Sequence, residues 1–301
     1  MGPRKRSKTR LGAALLLGLA LLFLTIPGGA GAARQRPLYW GAWIGSQLTG
    51  TEAQWDISAV RRFQESIGKG LSLVEISSFF SDCRTSPCQP FRFPAQQMQR
   101  IRDYGAIPVL SWASASGGGP RQPDFQLSDL ISGRYDRYIR EFAEEARAWN
   151  HPFFLRFDWE MNGRWFPWGA RVNGNQPGEY VAAWRHVHDL VASVGATNAT
   201  WVWCPYAYEE EGVWAYYPGN RYVDWTCLDA YNWGPGAPEP APWTSFRKLF
   251  GPAYEYIVQR VARNKPMLIA ELASSGRGRP RQGGSATCSR RCGPSTAGSA
   301  A

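Results

Sequence analysis

Two glutamates stand where apolar runs end. Glu160 closes the run Phe153-Phe154-Leu155-Arg156-Phe157-Asp158-Trp159, and Glu271 follows Met267-Leu268-Ile269-Ala270. An ionised carboxylate is costly to bury unpaired, so each glutamate either joins a structural ion pair or does chemistry at the tip of its strand. Residue types alternate along the first run, with Phe153, Leu155, Phe157 and Trp159 on one side and Phe154, Arg156, Asp158 and Glu160 on the other. Side chains alternate across a strand. The apolar side is therefore predicted to pack on helices and the charged side to face a cleft, with Glu160 at the mouth and Arg156 and Asp158 beneath it as support. Glu75, in an otherwise apolar run, is a further mouth or scaffold residue. Aromatic residues follow several of these runs: Trp43, Trp165, Trp168, Tyr206 and Trp233. Aromatic faces suit the apolar faces of sugar rings. Paired carboxyls suit glycoside hydrolysis, one protonating the leaving oxygen and the other attacking the anomeric carbon or activating water.

The elements that must position these groups recur along the chain. Strand-like runs cover Leu38–Trp43, Leu71–Ser77, Ile107–Trp112, Phe153–Asp158, Thr200–Cys204, Trp225–Ala230 and Met267–Glu271. Helical spacing covers Ala53–Ile67, Arg134–Trp149, Gly178–Val194 and Ser245–Arg263. Strands alternating with helices predict a parallel α/β fold, and seven repeats in one body predict a (β/α)8 TIM barrel with its chemistry at the C-terminal ends of the strands. No G-x-G-x-x-G follows the first strand, and Gly117-Gly118-Gly119 lacks the Lys-Ser/Thr that cradles phosphate, so no nucleotide cofactor is expected. The three histidines lie away from the cysteines, and neither a metal nor any other cofactor is expected.

The ends of the chain read differently from its body. Basic residues before Thr9, an uncharged apolar run from Leu11 to Ile26 and Ala30-Gly31-Ala32 form the three-part pattern of a signal peptide over residues 1–33, with an uncleaved anchor as the alternative. A secreted, extracellular protein follows, with no stable membrane association after signal cleavage. Residues 276–301 hold no Val, Ile, Leu, Met, Phe, Trp or Tyr and are expected to form a disordered Gly/Arg/Ser-rich tail, either out-of-frame coding or a natural low-complexity segment. The barrel domain then covers residues 34–275 and lacks the eighth strand–helix repeat. This reading makes the chain a truncated or frameshifted form of a longer enzyme, with low stability, since an unclosed barrel leaves sheet edges unpaired. The formal charge of +10 sits at the ends; the body between them is neutral, which gives no case for a nucleic-acid partner. A monomer acting on a polysaccharide is expected. Six cysteines suit an exported chain, with Cys83 and Cys88 close in sequence and Cys204 and Cys227 at the ends of candidate neighbouring strands.

The segment Arg156-Phe157-Asp158-Trp159-Glu160-Met161-Asn162-Gly163-Arg164-Trp165-Phe166-Pro167-Trp168 resembles the acid/base motif of glycoside hydrolase family 26. Lys265–Glu271 resembles that family's nucleophile strand, and Leu228-Asp229-Ala230-Tyr231-Asn232-Trp233 its sixth strand. The family holds secreted β-mannanases, with some mixed-linkage β-glucanases and β-1,3-xylanases. The resemblance implies a retaining mechanism with Glu160 as acid/base and Glu271 as nucleophile. It also implies that Tyr231 hydrogen-bonds the nucleophile and that Trp165 stacks on sugar beside the acid. Many of the family's mannanases carry His before the acid/base where this chain has Trp159, which keeps mixed-linkage β-glucan beside β-mannan as substrate. The alternative is a non-catalytic carbohydrate-binding barrel remnant that keeps the aromatic cleft without the activity.

Overall fold

The computed structural model describes residues 38–51, 53–207, 212–236 and 241–275. The leader, the tail and the cysteines Cys288 and Cys292 lie outside them. In chain order the elements are β1 (Gly41–Trp43), α1 (Ser46–Thr49), α2 (Ile57–Ile67), β2 (Leu73–Asp82), β3 (Gln89–Pro90), α3 (Ala95–Tyr104), β4 (Ile107–Ser116), α4 (Leu127–Ile131), α5 (Asp136–Trp149), β5 (Phe153–Phe157), α6 (Glu179–Ser193), β6 (Ala199–Trp203), β7 (Trp225–Asn232), α7 (Phe246–Tyr256) and β8 (Met267–Ser274). One π-helical turn, Ile257–Val261, continues α7.

Seven strands pair in parallel in the order β1-β2-β4-β5-β6-β7-β8, and β3 adds to β2 in antiparallel fashion. Parallel pairing of consecutive strands across helical crossovers is the build of a (β/α)8 barrel, here a partial one. Among the described residues β1 and β8 each have one strand neighbour on this path. The central strands are buried on both faces, as β5 shows: Phe-Phe-Leu-Arg-Phe is buried at every position. The helix side of the sheet is aromatic. Trp112 on β4 stacks on Phe142 of α5 at 4.3 Å and 8°, and Phe157 on β5 meets Trp184 of α6 edge-on.

Local chemistry fixes the helix ends. The Asp56 side chain accepts from Ser58 N at the start of α2, and Ser245 accepts from Lys248 N at the start of α7. Gly68 ends α2 and Gly105 ends α3, at φ 68° and φ 100°. Three of the differences from the sequence reading have a clear physical cause. The second strand runs on past Ser77 to Asp82 and turns into β3, with Cys83 and Cys88 joined by a disulfide in the turn. Helix α3 went unread because Ala-Gln-Gln-Met-Gln-Arg-Ile-Arg-Asp-Tyr buries only Met98 and Ile101, too narrow an apolar stripe to show as periodicity. The first strand begins at Gly41 rather than Leu38, where a side chain at Gly41 would collide with the Leu73 carbonyl oxygen, 2.8 Å from an added Cβ.

Candidate active site

The site is built around one cation. Arg156 is fully buried at the centre of β5. Its Nη1 donates to Glu75 Oε1 at 2.9 Å and to Ser111 Oγ at 3.1 Å, and its Nη2 pairs with Asp229 and lies 2.6 Å from Glu271 Oε1. The Trp159 ring centroid is 4.9 Å from its Cζ. β2, β4, β5, β7 and β8 thus each bring one polar side chain to the same point. One guanidinium cannot neutralise three contacting carboxylates, and the two most buried, Glu75 and Asp229, hold their protons more tightly than usual. Burial raises Glu75, with Arg156 opposing. Burial also raises Asp229 far above the usual carboxylate range, against Arg156 and with help from the charge of Glu271.

Glu160 and Glu271 are held differently. Glu160 is 5% exposed, and its carboxyl is pushed up to about 7, first by burial and next by the negative charge of Glu271, with Arg156 opposing. Trp165 Nε1 donates to its Oε2 at 2.5 Å. Its Oε1 is buried with no hydrogen-bond partner among the described residues. A carboxyl with a raised pKa and one free oxygen is equipped to carry a proton and deliver it. Glu271 instead accepts at both oxygens, from Tyr231 Oη at Oε2 and from Arg156 at Oε1, an arrangement suited to an oriented, ionised nucleophile. Burial and then the charge of Glu271 raise the Tyr231 hydroxyl, which keeps it a donor.

Two backbone irregularities aim these carboxylates. β5 ends at Phe157, and Asp158 and Glu160 then take left-handed conformations at φ 40° and φ 54°, which non-glycine residues adopt only under constraint. The constraint on Glu160 is its N–H, which donates to Cys204 O at 2.7 Å. In β8, Leu228 pairs with Ile269 but Asp229 pairs with Glu271, so Ala270 is an extra residue. Unbroken pairing would set Glu271 opposite Ala230 on the face away from Asp229. The bulge turns it to the Asp229 face, where Arg156 reaches both.

The broken alternation corrects two sequence expectations. Asp158 does not lie beneath Glu160 with Arg156. Its carboxylate accepts from Ser114 N at 2.8 Å and Ser114 Oγ at 2.6 Å, and Ser114 shares its side of β4 with Trp112, which packs on α5. Burial pushes Asp158 up to about 7, with both Ser114 bonds opposing. Trp159, expected against the helices, lies over Arg156 instead, beside Phe166 and Trp168.

The aromatic candidates also separate. Trp165 is 39% exposed and meets Tyr206 edge-on at 5.2 Å; Trp233 is 45% exposed and stacks on Tyr231 at 5.1 Å and 29°. These rings flank Glu160 and Glu271 and remain accessible. Trp43, at the end of β1, is exposed as well. Trp168 is not a binding platform. It is wholly buried, stacks on Phe166 at 4.5 Å and donates from Nε1 to Trp159 O at 2.6 Å. Gly163 is required where it stands, because an added Cβ would lie 2.4 Å from Trp165 Cζ2. Asn162, unread in the sequence, bonds reciprocally with Tyr206, donating to its carbonyl at 2.8 Å and accepting from its N–H at 2.9 Å. Asp229 was also unremarked as a site residue; its signal was an acid inside Trp-Thr-Cys-Leu-Asp-Ala-Tyr-Asn, an otherwise buried strand.

A disulfide joins Cys204 to Cys227. Among the described residues these sulfurs and Asp229 form the one group with metal-ligand spacing, and disulfide sulfurs are not thiolate ligands. No helix among the described residues is long and apolar enough to cross a membrane.

Residues 128–271 match the family model described as glycosyl hydrolase family 26. The chain is similar to Endoglucanase H of Acetivibrio thermocellus, at 32% identity over 244 residues, which are 78% of this chain and 24% of that protein. It is also similar to Mannan endo-1,4-beta-mannosidase A and B of Caldalkalibacillus mannanilyticus, at 31% identity over 118 residues, which are 38% of this chain and 20% of that protein. The chain spans about a quarter of the length of these curated relatives. In fold it resembles a ruminal GH26 endo-beta-1,4-mannanase, with a TM-score of 0.56 at 16% identity over 75% of this chain and 52% of the other. It also resembles the YdhT protein from Bacillus subtilis, with a TM-score of 0.54 at 18% identity over 73% and 67% of the two chains.

Proposed function

Residues 128–271 belong to glycosyl hydrolase family 26, and from that premise we propose that the protein is a secreted endo-β-glycanase. It cleaves β-mannan, with mixed-linkage β-glucan as the second substrate, and retains anomeric configuration. The observation that carries this reading is the unequal treatment of the two glutamates. Glu160 is raised to about 7 with Oε1 unbonded among the described residues, while Glu271 is held by Arg156 and Tyr231. In the first step Glu271 attacks the anomeric carbon as Glu160 gives its proton to the departing glycosidic oxygen, leaving a glycosyl ester on Glu271. Esterification removes the negative charge that helps to raise Glu160. Glu160 then falls toward the ordinary carboxylate range and takes a proton from the water that opens the ester. Trp165 and Trp233 supply the faces on which sugar rings lie, and Tyr231 orients the nucleophile.

The relatives' names support β-1,4-linked mannan and a glucan as substrates. Release of reducing ends from mannan and from mixed-linkage glucan tests the reading. Activity on either that disappears in Glu160→Gln and Glu271→Gln supports it. Binding to both polymers without hydrolysis would favour the non-catalytic alternative.

A further inference from the structure

A second groove lies beside the catalytic loop. It has a volume of about 590 Å³ and is lined by Arg121, Arg164, Arg171, Gln126, Asn173 and Gly174 among others. The first wall follows β4 and the second follows β5, so the groove opens at the end of the sheet that carries Glu160. Arg164 directly precedes Trp165, the residue that donates to Glu160.

Three features mark this groove as built. All three arginines are exposed, and among the described residues none of them forms an ion pair. Among the described residues no acid lines it, although Lys and Arg balance Asp and Glu once the basic ends are set aside; three such cations on one groove are therefore not a by-product of a basic body. The walls are also stitched together. Asn173 Oδ1 accepts from Gln122 N at 2.8 Å, Asn173 Nδ2 donates to Gln122 O at 2.7 Å, and Gln126 Nε2 donates to Asn173 O at 2.7 Å. Arg171 and Asn173 are held at φ 65° and φ 53°, conformations that persist only where surrounding structure imposes them.

We infer that this groove binds an oxyanion carried by the glycan, a carboxylate or a sulfate ester on a sugar bound next to the cleavage site. Guanidinium forks fit such groups two bonds at a time. A neutral glycan offers nothing that three such arginines would select. The inference rests on reading the chain as a glycan hydrolase, and it narrows the substrate to a partly acidic polysaccharide. A nucleic acid would need a basic track longer than this pocket, and the body offers no net positive charge to attract one.

Affinity electrophoresis of the full chain tests this in gels holding neutral glucomannan, the same polymer with some primary hydroxyls oxidised to carboxylates, or the same polymer sulfated. The expected result is about tenfold tighter retardation by an anionic polymer than by the neutral one, lost at about 0.3 M salt. The better of the two anionic polymers identifies the oxyanion. The advantage should vanish in Arg121→Gln/Arg164→Gln/Arg171→Gln while retardation by neutral glucomannan stays at the unmutated level. Arg171→Gly suits the positive φ, so it keeps the fold and should lose part of the advantage. Equal retardation by neutral and anionic polymers, an advantage that survives the triple substitution, or equal retardation by single-stranded DNA would each overturn the inference. Because the gel reads binding, a chain that cleaves no glycan refutes the proposed activity and leaves this result interpretable.

Discussion

Replacing Trp165 with Phe keeps a ring over Gly163 and removes the donor that holds the Glu160 carboxyl, the Nε1–H at 2.5 Å from Oε2. That bond favours the ionised form and holds the pKa of Glu160 down, so its loss must raise it. A hydrogen bond to a charged group contributes about 1.5–3 kcal/mol. Trp165 is 39% exposed, so water competes for the donor, and about 1–1.5 kcal/mol is a reasonable net. At 1.36 kcal/mol per unit this is about one pKa unit. The acid must be protonated to act, so the alkaline limb of kcat/KM reports it in the free enzyme. That limb should fall near pH 7 in the unmutated protein and move up by about one unit in Trp165→Phe. The assay is initial rate against pH on the glycan, with an aryl glycoside of low leaving-group pKa as control, since that substrate needs little acid help. A limb that stays in place, moves down, or moves equally on the activated substrate would refute the assignment of Glu160 as the acid held by Trp165.

Gly163→Ala should reproduce the upward shift of the limb and lower kcat besides, because the new Cβ displaces the Trp165 ring from 2.4 Å; an unchanged profile would show that the ring does not sit there. Trp168→Ala should cost roughly 3–5 kcal/mol of stability as a buried aromatic, whereas Trp233→Ala, on an exposed ring, should leave thermal unfolding in place and raise KM. Asp158 is raised by burial from 3.8 to about 7, so the native state holds its proton more tightly than the unfolded chain does. Its contribution is therefore favourable below about pH 4 and is lost as pH rises toward 7. Thermal unfolding of Asp158→Asn between those limits should show a weaker fall in stability than the unmutated protein, and an unaltered fall would contradict the burial argument.

The parallel repeat was legible because strands buried on both faces stand out as short apolar runs between helical periods, and Ile107–Trp112 and Trp225–Ala230 lie within the strands observed. The two glutamates of the candidate site were legible as types, since an acid ending an apolar run has few structural uses. Their aim was not. Strict alternation sends Asp158 into the cleft and Trp159 out of it, and only the positive φ of Asp158 and Glu160 reverses the two. The same alternation gives Glu271 no reason to share a face with Asp229; the extra residue Ala270 does that, and a bulge leaves no mark in residue type. Trp168 looked like Trp165 because both follow Glu160 closely, yet one hydrogen bond to a backbone carbonyl settles Trp168 into the core. Glu75 and Asp229 read as isolated acids because their shared partner, Arg156, lies on a third strand.

The central claim is that Glu271 attacks and Glu160 protonates, and trapping the glycosyl ester tests it most directly. A fluorosugar with a dinitrophenolate leaving group slows the breakdown of the ester more than its formation, and peptide mass spectrometry then locates the bound sugar. One sugar per chain on the peptide holding Glu271, absent in Glu271→Gln and still formed in Glu160→Ala, is the predicted result. No ester, or an ester on Glu160, Asp229 or Glu75, would contradict the account.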